Sequence, residues 1–147
     1  MSAPALSSET LHASCVVKDG RAILIAGRSG TGKSDLALRL IDRGAQLVSD
    51  DYTVVRRTKS GQLLARAPAN IEGKIEVRGI GVVAMGHSSD VPVALVIDLD
   101  LGVERMPERR DPVRIAGVAV PVVTVNALEA SAPVKVEVAL EHFGLKV

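Results

Sequence analysis

Eight residues, "GRSGTGKS" at 27–34, carry the most specific chemistry in the chain. They follow the pattern of a glycine, four residues, then Gly-Lys and a hydroxyl residue. An apolar run precedes them and a stretch of helical periodicity follows, which is the context that pattern needs. Gly27, Gly30 and Gly32 let the backbone curl so that successive N–H groups point inward at phosphate oxygens. The N-terminus of the next helix adds partial positive charge. Lys33 can reach the outer phosphates of a nucleotide, and the Ser34 hydroxyl suits Mg²⁺. Arg28, Ser29 and Thr31 complete the loop.

A second feature lies in "QLVSDDYTVV", residues 46–55, where an apolar run ends in two adjacent carboxylates, Asp50 and Asp51. Paired like charges at a strand end are costly unless a cation meets them. The intervening elements bring one. "SDLALRLIDR" (34–43) has Leu36, Ala37, Leu40 and Ile41 on one face, Asp35 near its start and Gly44 beyond its end, so a helix is predicted there. A helix of roughly ten residues rises about 15 Å. A returning strand of about five residues covers about 16 Å. Asp50 and Asp51 are therefore expected at the level of the phosphate loop, beside Lys33. One can orient a metal shell and the other can act as a general base. A competitor for the metal-holding role is Asp98, at the end of the buried run "ALVIDLD" (94–100). That is the usual position of the second nucleotide-binding acid in ordinary NTPases. Residue chemistry alone leaves the two strand ends nearly even.

The rest of the chain reads mainly as strands. They are predicted at 11–17 and 21–27, joined across "KDG", then at 45–49, 52–57 and 62–67. Further apolar runs cover 74–85 and 92–101, and two short strands flank Ala116-Gly117 within 113–125. Residues 1–9 are expected to be a loose tail and 107–112 a charged loop. In 134–144 the alternation suits a strand, but the spacing of Val138, Leu140 and Phe143 favours a helix. The whole of 1–147 reads as one α/β domain with a strand-rich mixed sheet and few helices.

Composition narrows the function. Hydrophobic residues make up 47% of 147, and Tyr52 and Phe143 are the only aromatics, so the core is aliphatic. A stacking platform for single-stranded nucleic acid needs more rings. A formal charge of +1 gives no electrostatic footprint for a duplex or an anionic membrane. The single cysteine, Cys15, excludes an internal disulfide and reads as a core residue. No signal-like or membrane-spanning run occurs, so a soluble, cytoplasmic protein is expected. No Asn-Lys-x-Asp base-reading motif occurs, which argues against a GTPase.

Four segments together resemble the catalytic domain of the bacterial HPr kinase/phosphorylase family. They are "LHASCVV" with His12, "GRSGTGKSDLALRLIDRGAQLVSDD", "IEVRGIGVV" (75–83) and, more weakly, "ERMP" (104–107). The resemblance implies a P-loop domain similar to phosphoenolpyruvate carboxykinase. It implies an ATP- and Mg²⁺-dependent serine kinase acting on HPr, a phosphocarrier protein of the sugar phosphotransferase system, with a regulatory role in carbon metabolism. It also implies the reverse reaction, in which inorganic phosphate removes the phosphoryl group and leaves as pyrophosphate, and assembly as a hexamer.

Residue by residue, the resemblance implies that Lys33 grips phosphates and that Ser34 and Glu76 bind Mg²⁺. Asp51 takes the serine proton, Asp50 assists it, and His12 helps position phosphate. Arg78 sits in the signature loop. Arg105 is the candidate for stabilising the moving phosphoryl group, with Arg109 and Arg110 as rivals. The chain departs from the family in starting almost at the catalytic domain and in lacking a Pro-Gly-Arg-Asn run near its C-terminus. The matched segments therefore speak more directly to the kinase than to the reverse reaction or the hexamer. Two other functions use the same loop: a regulatory nucleotide-binding module, and a kinase of another protein or of a small metabolite.

Overall fold

Two aliphatic runs without interior charges, "RAILIA" and "VPVALVID", are buried on both faces and lie side by side at the centre of the sheet. That environment is what such runs require. The computed structural model describes residues 7–147. Its strands are β1 (Ser8–Leu11), β2 (Ala13–Lys18), β3 (Arg21–Ala26), β4 (Gln46–Ser49), β5 (Thr53–Arg57), β6 (Leu63–Arg66), β7 (Lys74–Val77), β8 (Gly81–Ala84), β9 (Val91–Asp98), β10 (Val113–Ile115), β11 (Val118–Val120) and β12 (Val122–Thr124). The helices are α1 (Lys33–Asp42) and α2 (Ala132–Phe143), with a short 3₁₀ turn at Ala69–Ile71.

Eight strands form one mixed sheet in the order β1-β5-β6-β9-β3-β2-β4, with β12 also on β9. β3 and β12 run parallel to β9, whereas β2 is antiparallel to both β3 and β4. The C-terminal ends of β3, β4 and β9 and the N-terminal end of β2 therefore share one sheet edge. Alternation divides the core into two. Ile23, Ile25, Leu95 and Ile97 face α1 and α2, meeting Leu36, Leu40, Val136 and Leu140. Leu24, Cys15, Val48 and Val96 face the other way, with Val55, Leu63 and the β10–β11 hairpin. Pairing steps from Ala22–Val93 to Ile23–Leu95, so Ala94 is an extra residue in β9. Such a bulge lets neighbouring residues face one side. The Ala94 carbonyl accepts the Leu145 N–H at 2.9 Å, which ties the C-terminal segment to the sheet.

The helix over 134–144 is found, beginning slightly earlier. Pro133 lies in its first turn, and Val136, Ala139 and Leu140 form the buried stripe. Cys15 is fully buried, and burial pushes its thiol pKa far up. Three expectations change. Of the loose tail over 1–9, residues 1–6 lie outside the described residues, but Ser8 and Glu9 pair with Arg56 and Val55 as part of β1. The run 74–85 is not continuous: it is the β7–β8 hairpin, turning at 78–80. The segment 113–125 holds three strands, because after Pro121 the chain joins β9 as β12. No helix among the described residues is long and apolar enough to cross a membrane.

Candidate active site

The loop 27–32 leaves β3 at the sheet edge and enters α1. Close packing demands glycine at its start: a Cβ on Gly27 would lie 2.5 Å from Thr31 Oγ1. Gly32 enters the helix at φ 98°, a left-handed conformation that glycine adopts without penalty. The first helical bond runs from Leu36 N to Gly32 O at 2.9 Å, so the N–H groups of Lys33, Ser34 and Asp35 precede it at the helix mouth. Thr31 closes the curl by donating to the Arg28 carbonyl from both its N–H and its hydroxyl, at 3.1 and 2.7 Å. From outside, Asp100 accepts the Arg28 N–H at 3.0 Å and the Arg28 Nε at 3.2 Å. These bonds, that to the backbone N–H first, hold the Asp100 carboxyl below its ordinary pKa.

Lys33 is buried at its stem, with 5% of its surface exposed. Its Nζ donates to the carbonyls of Gly27 and Arg28 at 2.8 and 3.0 Å and lies 4.0 Å from Asp51 Oδ1. The two aspartates that follow β4 part company. Asp50 is 8% exposed and turns into the protein. It accepts Ser14 Oγ at 3.2 Å, Ser34 Oγ at 2.5 Å and the Glu76 N–H at 2.9 Å. Three separate elements thus converge on one buried carboxylate, which is how a buried charge is tolerated. Asp51 turns outward, with about half of its side chain exposed. It sits at φ 65°, and the Tyr52 N–H bonds back to the Asp50 carbonyl at 2.7 Å. That is a γ-turn of the uncommon, strained kind. Its carboxylate meets His12 Nε2 at 2.9 Å. An ionised carboxylate only accepts, so His12 donates through Nε2. The imidazole stacks on Tyr52, ring centroids 5.0 Å apart.

Lys33 and Asp51 open onto a cleft of about 450 Å³ that is also lined by Ser29, Gly30, Gly32, Ser34, Asp35, Glu76 and Arg78. The β7–β8 hairpin brings Glu76 there because buried Ile75 anchors it against the α1 side of the core. The donor set is oxygen throughout. Among the described residues no group of three or more His, Cys, Asp or Glu could cage a metal ion. Mg²⁺ needs no such cage, since it binds through one or two protein oxygens plus phosphates and water. Ser34 gives its proton to Asp50, so its lone pairs are left for an ion, and Glu76 lines the same cleft. The residues fit Mg²⁺ held jointly with a nucleotide.

The sequence-predicted residues are thus brought together except at two places. Asp98 pairs with Ala26 at the same sheet edge but does not line the cleft: its Oδ1 accepts the N–H groups of Asp100 and Leu101 at 2.8 and 3.2 Å, capping the turn after β9. Arg105 lies in a different groove with Arg109 and Arg110, between the 101–111 loop, β12 and α2. Arg110 covers the Phe143 ring at 4.1 Å and Arg109 pairs with Asp111. Arg78 is the arginine that lines the cleft. Ser14, Tyr52 and Asp100 were not foreseen. A period-two alternation from His12 would have placed Ser14 on the same strand face.

The HPr Serine kinase C-terminal domain family model matches residues 5–147. The HPr kinase/phosphorylase of Geobacillus thermodenitrificans is 34% identical over 92% of this chain, and that of Chlorobium chlorochromatii is 36% identical over 92%. The chain spans 48% and 45% of those relatives' lengths. The solved HPr(Ser) kinase/phosphatase of Coxiella burnetii superposes with a TM-score of 0.78 at 28% identity, covering 90% of this chain and 88% of that one. The described architecture, an α/β mixed sheet with a phosphate loop opening α1, is accordingly of the HPr kinase type, and the chain belongs to the HPr serine kinase C-terminal domain family.

Proposed function

We propose that this chain is the catalytic domain of an ATP-dependent kinase that phosphorylates a serine of the phosphocarrier protein HPr, and that the same site runs the phosphate-dependent reverse reaction. The observation that carries this reading is the placement of the Asp51 carboxylate, 4.0 Å from Lys33 Nζ and 2.9 Å from His12 Nε2, at the mouth of a cleft open to a protein substrate. The loop N–H groups and Lys33 bind the triphosphate. Asp51 accepts the proton of the incoming serine hydroxyl as its oxygen attacks the terminal phosphorus and the bond to the bridging oxygen breaks, releasing ADP. In the phosphate-dependent reaction, inorganic phosphate gives a proton to Asp51 and attacks the phosphorus of the phosphoserine; the bond to the serine oxygen breaks, Asp51 protonates that oxygen, and pyrophosphate leaves. His12 orients Asp51, and Asp50 aligns Ser34 with the Glu76 backbone. Ser34 and Glu76 would hold Mg²⁺, which would supply charge neutralisation to the phosphates. Arg78 is better placed than Arg105 to meet the transferred group, because it lines the cleft.

The test is purified chain, labelled ATP, Mg²⁺ and purified HPr. One phosphate on a serine of HPr is the expected result. With a cell lysate added in parallel, labelling of another protein with HPr untouched supports the reading as a kinase of a different acceptor. ATP binding without transfer supports a regulatory nucleotide-binding module.

A symmetric oligomer, most simply a hexamer, in the cytoplasm belongs to the same proposal. It is supported by exposed apolar side chains late in the chain, Val134, Val138 and Phe143 on α2 and Val113 on β10. Small domains commonly bury such faces between subunits. Light scattering at micromolar concentration should give a mass several times 15.4 kDa, and a monomer mass removes the oligomer.

A further inference from the structure

Ser14 is fully buried on β2, yet its hydroxyl is used twice at the strained turn. It donates to Asp50 Oδ1 at 3.2 Å and accepts the Asp51 N–H at 3.0 Å. One oxygen therefore links the buried carboxylate to the backbone of the exposed one. The neighbours reinforce the same elbow: Ser49 Oγ donates to the Tyr52 carbonyl, and Thr53 Oγ1 donates to the Ala13 carbonyl at 2.7 Å. A non-glycine residue at φ 65° is held only where its surroundings over-determine it. Ser14 supplies the brace nearest to that residue, and it supplies the only partner recorded for the Asp51 N–H among the described residues.

We propose that Ser14 is a positioning residue that holds the Asp51 turn and so aims its carboxylate at the cleft, beside Lys33 and His12. The inference rests on the reading of Asp51 as the base, but it is separable from it. Removing the hydroxyl leaves the Asp51 N–H without its partner and lets the turn relax toward an ordinary backbone conformation. Ser14 makes no direct bond to 27–34 and meets the nucleotide loop only through Asp50 Oδ1, which keeps its bond from Ser34 Oγ when the Ser14 hydroxyl is removed. The loss should therefore fall on kcat and not on the KM for ATP. Its size should be about tenfold, on the scale of one buried hydrogen bond.

The experiment measures initial rates of Ser14→Ala, Asp51→Asn and the double variant, with ATP affinity by calorimetry. Ser14→Ala is expected to lower kcat about tenfold, to leave ATP affinity within twofold, and to cost nothing further in the Asp51→Asn background. Non-additivity is what acting through Asp51 means, and a merely structural role would cost the same in both backgrounds. The isosteric pair Ser14→Thr and Ser14→Val separates the hydroxyl from packing and serves also if Ser14→Ala fails to fold. Thr is expected to be the more active by about the same tenfold. Equal activity of Thr and Val, or an additive double variant, overturns the assignment of Ser14 while the base reading stands on its own loss at Asp51→Asn. Full turnover by Asp51→Asn overturns both.

Discussion

Lys33→Ala is expected to abolish phosphotransfer, lowering it about a thousandfold or more. The lysine is the one cationic side chain rooted in the phosphate loop whose ammonium faces both the loop carbonyls and Asp51. A developing charge on the transferred group needs preorganised donors in a water-poor site, and removing even one such donor costs about 10²–10³ in rate. Lys33 carries a full charge as well, and its stem is already packed and 5% exposed, so little ordering is left to do on binding. ATP affinity should fall too, since the same ammonium serves ground state and transition state. Labelled transfer and calorimetry read the two effects separately. Near-normal transfer by Lys33→Ala would remove the phosphate-loop assignment altogether.

What the sequence disclosed follows from how local each requirement is. A phosphate cradle needs consecutive backbone N–H groups, so its residues are contiguous and 27–34 could be read outright. The return of Asp50 and Asp51 to the same edge could be read as well, because it depends only on one helix length and one strand length. Their placement, Asp50 buried and Asp51 half exposed, could not be read from residue chemistry. It is decided by Ser14 from β2 and by Ser34 and Glu76 from two other elements, none of them adjacent in sequence. On the rivalry with Asp98, the structure adds that its Oδ1 accepts two N–H groups of the turn within three residues, a detail of loop geometry. Arg105 shows the limit of matching a short segment: the 101–111 loop carries it to the groove beside α2. The three-residue strand β12 was hidden because its pairing to β9 is parallel and distant, and Pro121 alone separates it from β11. At 134–144 two periodicities competed, and burial of Val136, Ala139 and Leu140 at helical spacing decided the contest.

Asp51→Asn is expected to keep ATP binding and to cut turnover by two orders of magnitude or more in both directions. The amide is isosteric and can still accept from His12 Nε2, so the turn, the stacked imidazole and the cleft should survive. What is lost is a group able to take the serine proton, and general base catalysis contributes typically 10²–10⁴-fold. The effect is bidirectional because the same carboxylate takes the serine proton in the forward reaction and protonates the serine oxygen in the reverse. Asp98→Asn is the matched control. Its Oδ1 can go on accepting the N–H groups of Asp100 and Leu101, so turnover should stay within about fivefold. Rates of both variants with HPr and ATP, and of phosphate-dependent release from phosphorylated HPr, decide the matter. A fall in ATP affinity with turnover intact would make Asp51 a metal or phosphate ligand and not the base. A greater loss at Asp98 than at Asp51 would transfer the catalytic carboxylate to the end of β9, the layout of an ordinary NTPase, and the elbow at Asp51 would then have no catalytic reason for its strain.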